Sequence, residues 1–255
     1  AAKRSEAVTN FIGAIGNDEA GEMMRELLSE EGIELAGVQT LEKQATGQAY
    51  IIVDDQGENS IMIHSGANNA FTPKQVQAHT DLIKASDFII AQFESTLEST
   101  VEAFTIAREA GVKTILNPAP ALENVPEELL KVTDMIIPNE TETEILTGIK
   151  VTDETSLKAA ADHLHQLGIE AVIITIGSKG AFYDVQGRSG IVPAFKVNAV
   201  DTTAAGDTFI GAMSSILAKD FSNLEQAIEY GNKASSLTVQ RFGAQPSIPY
   251  KNELN

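Results

Sequence analysis

Apolar runs alternate with amphipathic stretches along most of the chain. Continuous apolar runs are typical of strands buried on both faces of a sheet, and they occupy residues 9–16, 87–93, 112–119, 134–139 and 171–177. Between them, apolar residues recur at helical spacing, which predicts helices over residues 19–31, 73–85, 97–110, 140–147 and 154–167. This alternation predicts an α/β protein, a three-layer α-β-α architecture whose central sheet is mostly parallel with helices on both faces.

One segment, residues 45–68, interrupts that rhythm. It contains two apolar runs joined by the turn-rich sequence DDQGEN, which predicts a β-hairpin rather than a strand-helix-strand unit. A hairpin inserted into an α/β domain is an appendage, and lids and dimer contacts are common uses of such appendages. We therefore expect one α/β domain over residues 1–255 that carries this hairpin.

Composition narrows the possible partners. The 255 residues carry 36 acidic and 18 basic side chains, a formal net charge of −18, which argues against binding to nucleic acid or to anionic membranes. The chain has no cysteine, so disulfides, thiol catalysis and zinc–thiolate sites are excluded, and such a composition is typical of the cytoplasm.

The sequence DTTAAGDTFIGA, which begins at Asp201, places a carboxylate behind small residues at a predicted helix start. Ala204, Ala205 and Gly206 leave backbone N–H groups uncovered, and such groups at a helix start bind anions with help from the helix dipole. Asp207 could then take a proton from a hydroxyl beside that anion. The alternative is that Asp207 only caps the helix. A cap needs neither three small residues before it nor a second aspartate, so we favour the functional interpretation.

The sequence PNETETEIL follows a predicted strand, where α/β folds place their chemistry. Asn139 and Glu142 are three residues apart, hence close together on the first helical turn. Together they could orient a hydrated magnesium ion, which favours oxygen ligands and keeps several waters. The alternative is that Glu142 only interacts favourably with the helix dipole.

The sequence TIGSKGA, residues 175–181, follows another predicted strand with two glycines and a lysine. A turn of this kind could approach a polyphosphate closely, although it matches neither of the common phosphate-binding fingerprints. Because the strand-like AFYDV follows it, a plain hairpin turn is the alternative.

The irregular sequence RFGAQPS near the C-terminus offers backbone carbonyls and the hydroxyl of Ser247. With Asp201, these oxygens could surround a monovalent cation. A simple C-terminal turn is the alternative.

Together these four motifs, with HSGANNAFTP (64–73) and NPAPA (117–121), occur in an order and at spacings that resemble the ribokinase-like carbohydrate kinase family. The resemblance extends over the chain from residue 9 onward. It implies a ribokinase-like α/β fold with a small β lid, to which the 45–68 hairpin would contribute, and a homodimer formed through the lid strands. It also implies ATP-dependent phosphorylation of a sugar, with D-ribose at O5 as the expected acceptor.

The resemblance also assigns roles to single residues. Asp207 would be the base and a sugar ligand, Glu94 would bind a sugar hydroxyl, and Ala204, Ala205 and Gly206 would form the anion hole. Residues similar to the family's ATP contacts are Asn139, Thr175, Ile176, Gly177, Ser178, Lys179, Gly180, Gly206 and Asn232. Asn139 and Glu142 would hold magnesium through water. A ring around an activating potassium ion would consist of Asp201, Thr203 and Ser247 with carbonyls of Thr238, Arg241 and Gly243.

The chain departs from the family at its front. The family's Asn-x-Asp sugar contact and Gly-Gly-Lys-Gly segment have no counterpart in the sequence that begins at Ala1. We therefore expect the natural protein to carry a further N-terminal segment with the family's first, central strand, whose loss would uncover strand edges.

Other functions are open at this point. The same chemistry could act on fructose, a deoxy sugar or a nucleoside. A non-catalytic sugar- or nucleotide-binding homologue is disfavoured because Asp207 and the small residues before it are retained. A nucleotide-cofactor oxidoreductase is disfavoured because no GxGxxG motif opens a strand-helix-strand unit.

Overall fold

The computed structural model describes residues 1–53 and 59–254, with side chains for residues 1–50 and 62–254. Its strands, numbered along the chain, are β1 (Gly13–Gly16), β2 (Val38–Leu41), β3 (Gln48–Val53), β4 (Asn59–His64), β5 (Phe88–Ala91), β6 (Lys113–Leu116), β7 (Met135–Ile136), β8 (Ala171–Thr175), β9 (Ala181–Val185) and β10 (Arg188–Val192). Its α-helices are α1 (Glu19–Glu30), α2 (Pro73–Gln77), α3 (Thr80–Lys84), α4 (Leu97–Glu109), α5 (Glu127–Lys131), α6 (Glu140–Thr147), α7 (Glu154–Gln166), α8 (Ala205–Ile216) and α9 (Leu224–Thr238).

Among the residues that the structure describes, the main sheet has six strands in the order β10-β9-β8-β7-β6-β5. Strands β5 to β8 are parallel, whereas β9 and β10 continue the sheet antiparallel to β8. The predicted mostly parallel sheet is therefore confirmed. Parallel strands align their carboxyl ends at one edge of the sheet. The residues that the sequence analysis predicts to be functional after β7 and β8 lie at that edge.

Helices cover both faces of this sheet, as the alternation of side chains along β8 demonstrates. Ile173 packs in the core under α8 and α9, together with Phe209, Met213 and Ile228. Val172 and Ile174 point the other way, into a second core whose helical members are Phe104, Leu129, Leu130, Leu157, Ala160, Ala161 and Leu164. Each large apolar side chain buried in this way contributes about 1.5–3 kcal/mol. The three-layer architecture follows from these two cores.

Strands β3 and β4 form a separate antiparallel pair in which Tyr50 lies opposite Met62. Residues 54–58, which make up most of the sequence DDQGEN, lie outside the described residues. The chain is held where it enters and leaves this pair, because the Thr46 amide donates to Asp18 Oδ2 (2.8 Å) and the Ala67 amide donates to the Ala45 carbonyl (2.8 Å). These contacts tie the hairpin to the start of α1.

Several elements differ from the expectation. Strands β2 and β10 are present although their sequences, VQTL and RSGIV, lack a continuous apolar run. The predicted helix over 73–85 is two short helices, because the backbone of His79 (φ −114°, ψ 20°) leaves the helical region. Strand β1 pairs with β2 and not with the six-stranded sheet within the described residues. A cavity of about 780 Å³, lined by residues 7–12 and 88–91 among others, lies between these two parts of the fold.

None of the helices in the described part of the chain is both long and apolar enough to cross a lipid bilayer.

Candidate active site

A cavity of about 200 Å³ opens at the carboxyl ends of the parallel strands. Asn117 follows β6, Asn139 follows β7, and Thr175 ends β8. The full lining consists of Asn117, Ala119, Ile137, Asn139, Glu142, Thr175, Thr202, Ala204, Ala205, Gly206, Asp207 and Ile210. The fold thus brings the predicted base, the predicted anion hole and the predicted magnesium residues into one cavity.

The backbone at the start of α8 is exposed to this cavity. Ala204 precedes the helix in the left-handed region (φ 59°, ψ 12°), which costs a non-glycine residue roughly 1–2 kcal/mol. The Ala205 amide donates to the Thr202 carbonyl at 3.2 Å, but the amides of Gly206 and Asp207 have no hydrogen-bond partner among the described residues. A Cβ atom added to Gly206 would meet nothing within 4 Å. Two free amides therefore face open space at the positive end of a helix dipole.

Asp207 lies on the first turn of α8 and is exposed. The residue at the cap position is Ala204, which makes no side-chain cap, so Asp207 does not cap this helix. Its carboxylate has no hydrogen-bond donor among the described residues and lines the cavity. The capping alternative is wrong, and the carboxylate is free to accept a proton from a bound group.

Asn139 and Glu142 interact with each other at the start of α6. Asn139 Oδ1 accepts from the Glu142 amide (2.8 Å), while the Asn139 amide and Nδ2 donate to the two carboxylate oxygens of Glu142 at 2.8 and 2.9 Å. Glu142 is buried, with 7% of its surface exposed, and burial raises the pKa of its carboxyl against the opposing effect of the Asn139 hydrogen bond. Asn139 and Glu142 therefore form a capping box at the start of α6, and the helix-start alternative describes part of the role of Glu142.

The glycine turn joins β8 to β9 as a tight hairpin, so the plain-turn geometry is present. Gly177 and Gly180 have φ angles of 54° and 110°, and a Cβ at Gly180 would stand 2.1 Å from the Val192 carbonyl oxygen. Ser178 and Lys179 are exposed. Among residues 175–180, Thr175 lines the cavity, and the others lie beyond it.

Asn232 is buried on α9 and does not line the cavity. Its Nδ2 donates to the carbonyls of Val192 (3.1 Å) and Pro193 (3.2 Å). The side chain thereby fixes the segment that follows β10 beside the glycine turn.

Asp201 joins two distant segments. Its Oδ1 accepts from the Thr203 amide and its Oδ2 from the Gly243 amide, both at 2.9 Å, and hydrogen bonds from Thr203 and Gly243 hold the pKa of Asp201 below its usual value. Thr238 and Ser247 are fully buried. The residues predicted to surround potassium offer only carboxylate, carbonyl and hydroxyl oxygens, and such donors suit a hard monovalent cation.

Glu94 is exposed after β5 and lies outside the residues that line the cavity. Its role as a sugar ligand stays a prediction.

Asn117, by contrast, lines the cavity and was not singled out from the sequence. Its Nδ2 donates to the Ile137 carbonyl at 3.0 Å. The signal available in the sequence was its position at the end of a predicted strand.

Comparisons with known proteins identify relatives over the whole length of this chain. The sequence profile described as pfkB family carbohydrate kinase matches residues 1–251. The ribokinase of Staphylococcus aureus is 46% identical over 255 residues, which are 100% of this chain and 84% of that protein. The bifunctional ribokinase/ribose-5-phosphate isomerase A of Fructilactobacillus sanfranciscensis is 50% identical over 254 residues, and the chain spans 47% of its length. The structure of Arabidopsis thaliana ribokinase complexed with ribose and ATP superposes with a TM-score of 0.93 at 29% identity, covering 99% of this chain and 82% of that one.

Proposed function

We propose that this chain, which belongs to the pfkB family of carbohydrate kinases, phosphorylates D-ribose with ATP. Membership of that family makes it a phosphotransferase with an alcohol group as acceptor. The products are ribose 5-phosphate and ADP, and the role is in D-ribose catabolism. The observation that carries this proposal is that the carboxylate of Asp207 and the amides of Gly206 and Asp207, none of which has a hydrogen-bond partner among the described residues, meet at one cavity.

The reaction is an in-line displacement at the γ-phosphorus. The O5 oxygen of ribose forms a bond to phosphorus as the bond to the β–γ bridging oxygen breaks, and ADP leaves with that electron pair. Asp207 accepts the O5 proton. The amides at Gly206 and Asp207 and the dipole of α8 stabilise the negative charge on the transferring group, which is the main demand of phosphoryl transfer.

The remaining polar residues fit two cations. We assign Asn139 and Glu142 to Mg²⁺ through water, because both carboxylate oxygens of Glu142 already accept hydrogen bonds from Asn139. Bound Mg²⁺ would neutralise charge on the phosphate oxygens. We assign Asp201, Thr203 and Ser247, with carbonyls of Thr238, Arg241 and Gly243, to K⁺, whose role is to hold the loop before α8 in place.

ATP extends from the cavity over the glycine turn, Thr175 to Gly180, toward Asn232. We propose that the sugar lies against Asp207 and Glu94. The β3–β4 hairpin closes over it and also contacts a second copy, since Tyr50 (52% exposed) and Met62 (59% exposed) form an uncovered apolar pair. The environment that we propose for the protein is the cytoplasm.

Ribose-dependent release of ADP by the whole protein tests the function. We expect turnover with ribose to exceed turnover with fructose, 2-deoxyribose or a nucleoside, and to fall when K⁺ is replaced by tetramethylammonium. Equal or faster turnover with another acceptor would make that acceptor the substrate. Absence of ADP release with every acceptor would overturn the kinase assignment, and indifference to K⁺ would remove the potassium site.

The replacement Glu142→Gln is expected to raise the Mg²⁺ concentration for half-maximal activity by about 10- to 100-fold, the usual effect of losing a side chain that orients a metal's ligands. It also weakens the bonds to Asn139, so the free energy of unfolding should fall by about 1 kcal/mol. The matched control is Glu140→Gln, which changes an exposed acid on the same turn. A stability loss without any change in the Mg²⁺ requirement would leave Glu142 with the helix-start role alone.

A further inference from the structure

The side chain of Arg4 lies between the N-terminal turn and the end of the chain, with 9% of its surface exposed. Its Nη1 donates to the carbonyls of Gln245 (2.9 Å) and Ile248 (2.6 Å). Its Nε donates to both carboxylate oxygens of Glu31, at 3.0 and 3.1 Å. The guanidinium carbon stands 4.5 Å from the centre of the Tyr250 ring. Arg4 thus contacts two separate segments, the end of α1 at Glu31 and residues 245–250 near the C-terminus.

Glu31 completes this cluster from the C-terminal end of α1. Its Oε1 also accepts from Gln245 Nε2 at 3.1 Å, so Gln245 is held through both its backbone and its side chain. The hydrogen bond from Arg4 lowers the pKa of Glu31, and the same bond raises the pKa of Arg4. The pair is therefore charged at neutral pH and forms an anchor of charge-assisted hydrogen bonds.

The segment that Arg4 holds, residues 243–248, is hydrogen-bonded to the loop that precedes α8. The Gly243 amide donates to Asp201, and Asp201 in turn accepts from the Thr203 amide, both at 2.9 Å. Thr203 immediately precedes Ala204 and the free amides of α8. An unbroken series of hydrogen bonds and covalent bonds therefore joins Arg4 to the anion hole.

We propose that Arg4 is a positioning residue for phosphoryl transfer, which fixes the 243–248 turn so that Asp201 can hold the loop 202–206 in its strained form. The inference rests on the proposed function for its catalytic consequence. The strained Ala204 needs such support, because a left-handed non-glycine residue persists only where surrounding contacts impose it. Arg4 itself does not line the cavity that contains Asp207.

The replacement Arg4→Lys tests the proposal in the whole protein. Lysine keeps the charge and the pairing with Glu31, but one ammonium group cannot also reproduce the fork to the carbonyls of Gln245 and Ile248. We expect hydrogen exchange at the amides of Gly243 and Thr203 to become at least about 10-fold faster. We expect kcat to fall by about 10- to 100-fold with little change in the KM for ATP, as for a small displacement of a reacting group.

Arg108→Lys is the matched control, because Arg108 is an exposed arginine that also donates to a backbone carbonyl, that of Lys131, at 2.7 Å. It should alter neither exchange at Gly243 nor kcat. Glu31→Gln is a second variant in case Arg4→Lys does not fold, since it leaves the two carbonyl contacts of Arg4 in place and should accelerate exchange at Gly243 to a smaller extent.

Unchanged exchange at Gly243 and Thr203 in both Arg4→Lys and Glu31→Gln would overturn the proposal. Faster exchange with an unchanged kcat would also overturn it, because the turn would then move without affecting the anion hole. If the unsubstituted protein phosphorylates no sugar, the proposed function fails, and the exchange measurements alone decide whether Arg4 fixes the loop before α8.

Discussion

The replacement Asp207→Asn is expected to lower turnover with ATP and ribose by about 10²- to 10⁴-fold, the usual scale for a lost general base. Asparagine has nearly the same size and leaves the amides of α8 in place, but it cannot accept the O5 proton. Because the carboxylate makes no hydrogen bond to the described residues, the fold does not depend on it. The KM for ATP and the melting temperature should therefore change little.

Steady-state measurement of ADP release gives kcat and KM for both substrates. Asp220→Asn is the matched control, since Asp220 is an exposed aspartate that accepts from the Ser222 amide at 3.0 Å and lies outside the cavity. Near-normal turnover of Asp207→Asn would refute the assignment of the base. A large loss of ATP binding would show instead that the carboxylate has a binding role.

Much of the fold could be predicted because its elements carry local signals. The helix predicted over 140–147 is α6 without change, since Asn139 caps its start and Gly148, with φ 71°, ends it. Strand β8 was predicted because a strand covered on both faces must be continuously apolar, and its residues 171–174 are fully buried. In contrast, β10 is an edge strand with largely exposed side chains, so no core imposes an apolar pattern on it.

The candidate site could be predicted only in part. Asp207 and the small residues before it were identified because uncovered backbone at a helix start has few structural reasons to exist. An interaction of Glu142 with the helix dipole was named as the alternative to metal binding, but the hydrogen bonds between Glu142 and Asn139 were not predicted, because spacing cannot tell whether a carboxylate faces its own helix or a ligand. The structure shows that both carboxylate oxygens of Glu142 accept from Asn139.

Contacts between the two ends of the chain had no signal in the sequence. Arg4 donates to the carbonyl of Gln245, a residue 241 positions away. Backbone carbonyls are present at every residue, so no sequence pattern identifies the one that an arginine will reach. Such partners become visible only when the fold has brought the segments together.

Replacing Gly206 by valine is expected to lower kcat by about 10²- to 10³-fold, comparable to the loss of one anion-hole donor. The new side chain would stand in the open part of the cavity, since a Cβ at this position meets nothing within 4 Å, and it would occupy the space in front of the free amides. Gly206→Ala should give a smaller loss of the same kind. Turnover and ATP binding are measured on both variants beside the unsubstituted chain.

The two properties of Gly206→Ala should change in opposite directions. Alanine is favoured over glycine inside a helix by roughly 0.5–1 kcal/mol, and no contact opposes it here, so the free energy of unfolding should rise while kcat falls. A variant that gained stability and kept full activity would contradict the anion hole, because the phosphoryl group would then not pass in front of residue 206. Loss of both properties would mean that the glycine serves packing, which the open space around it argues against.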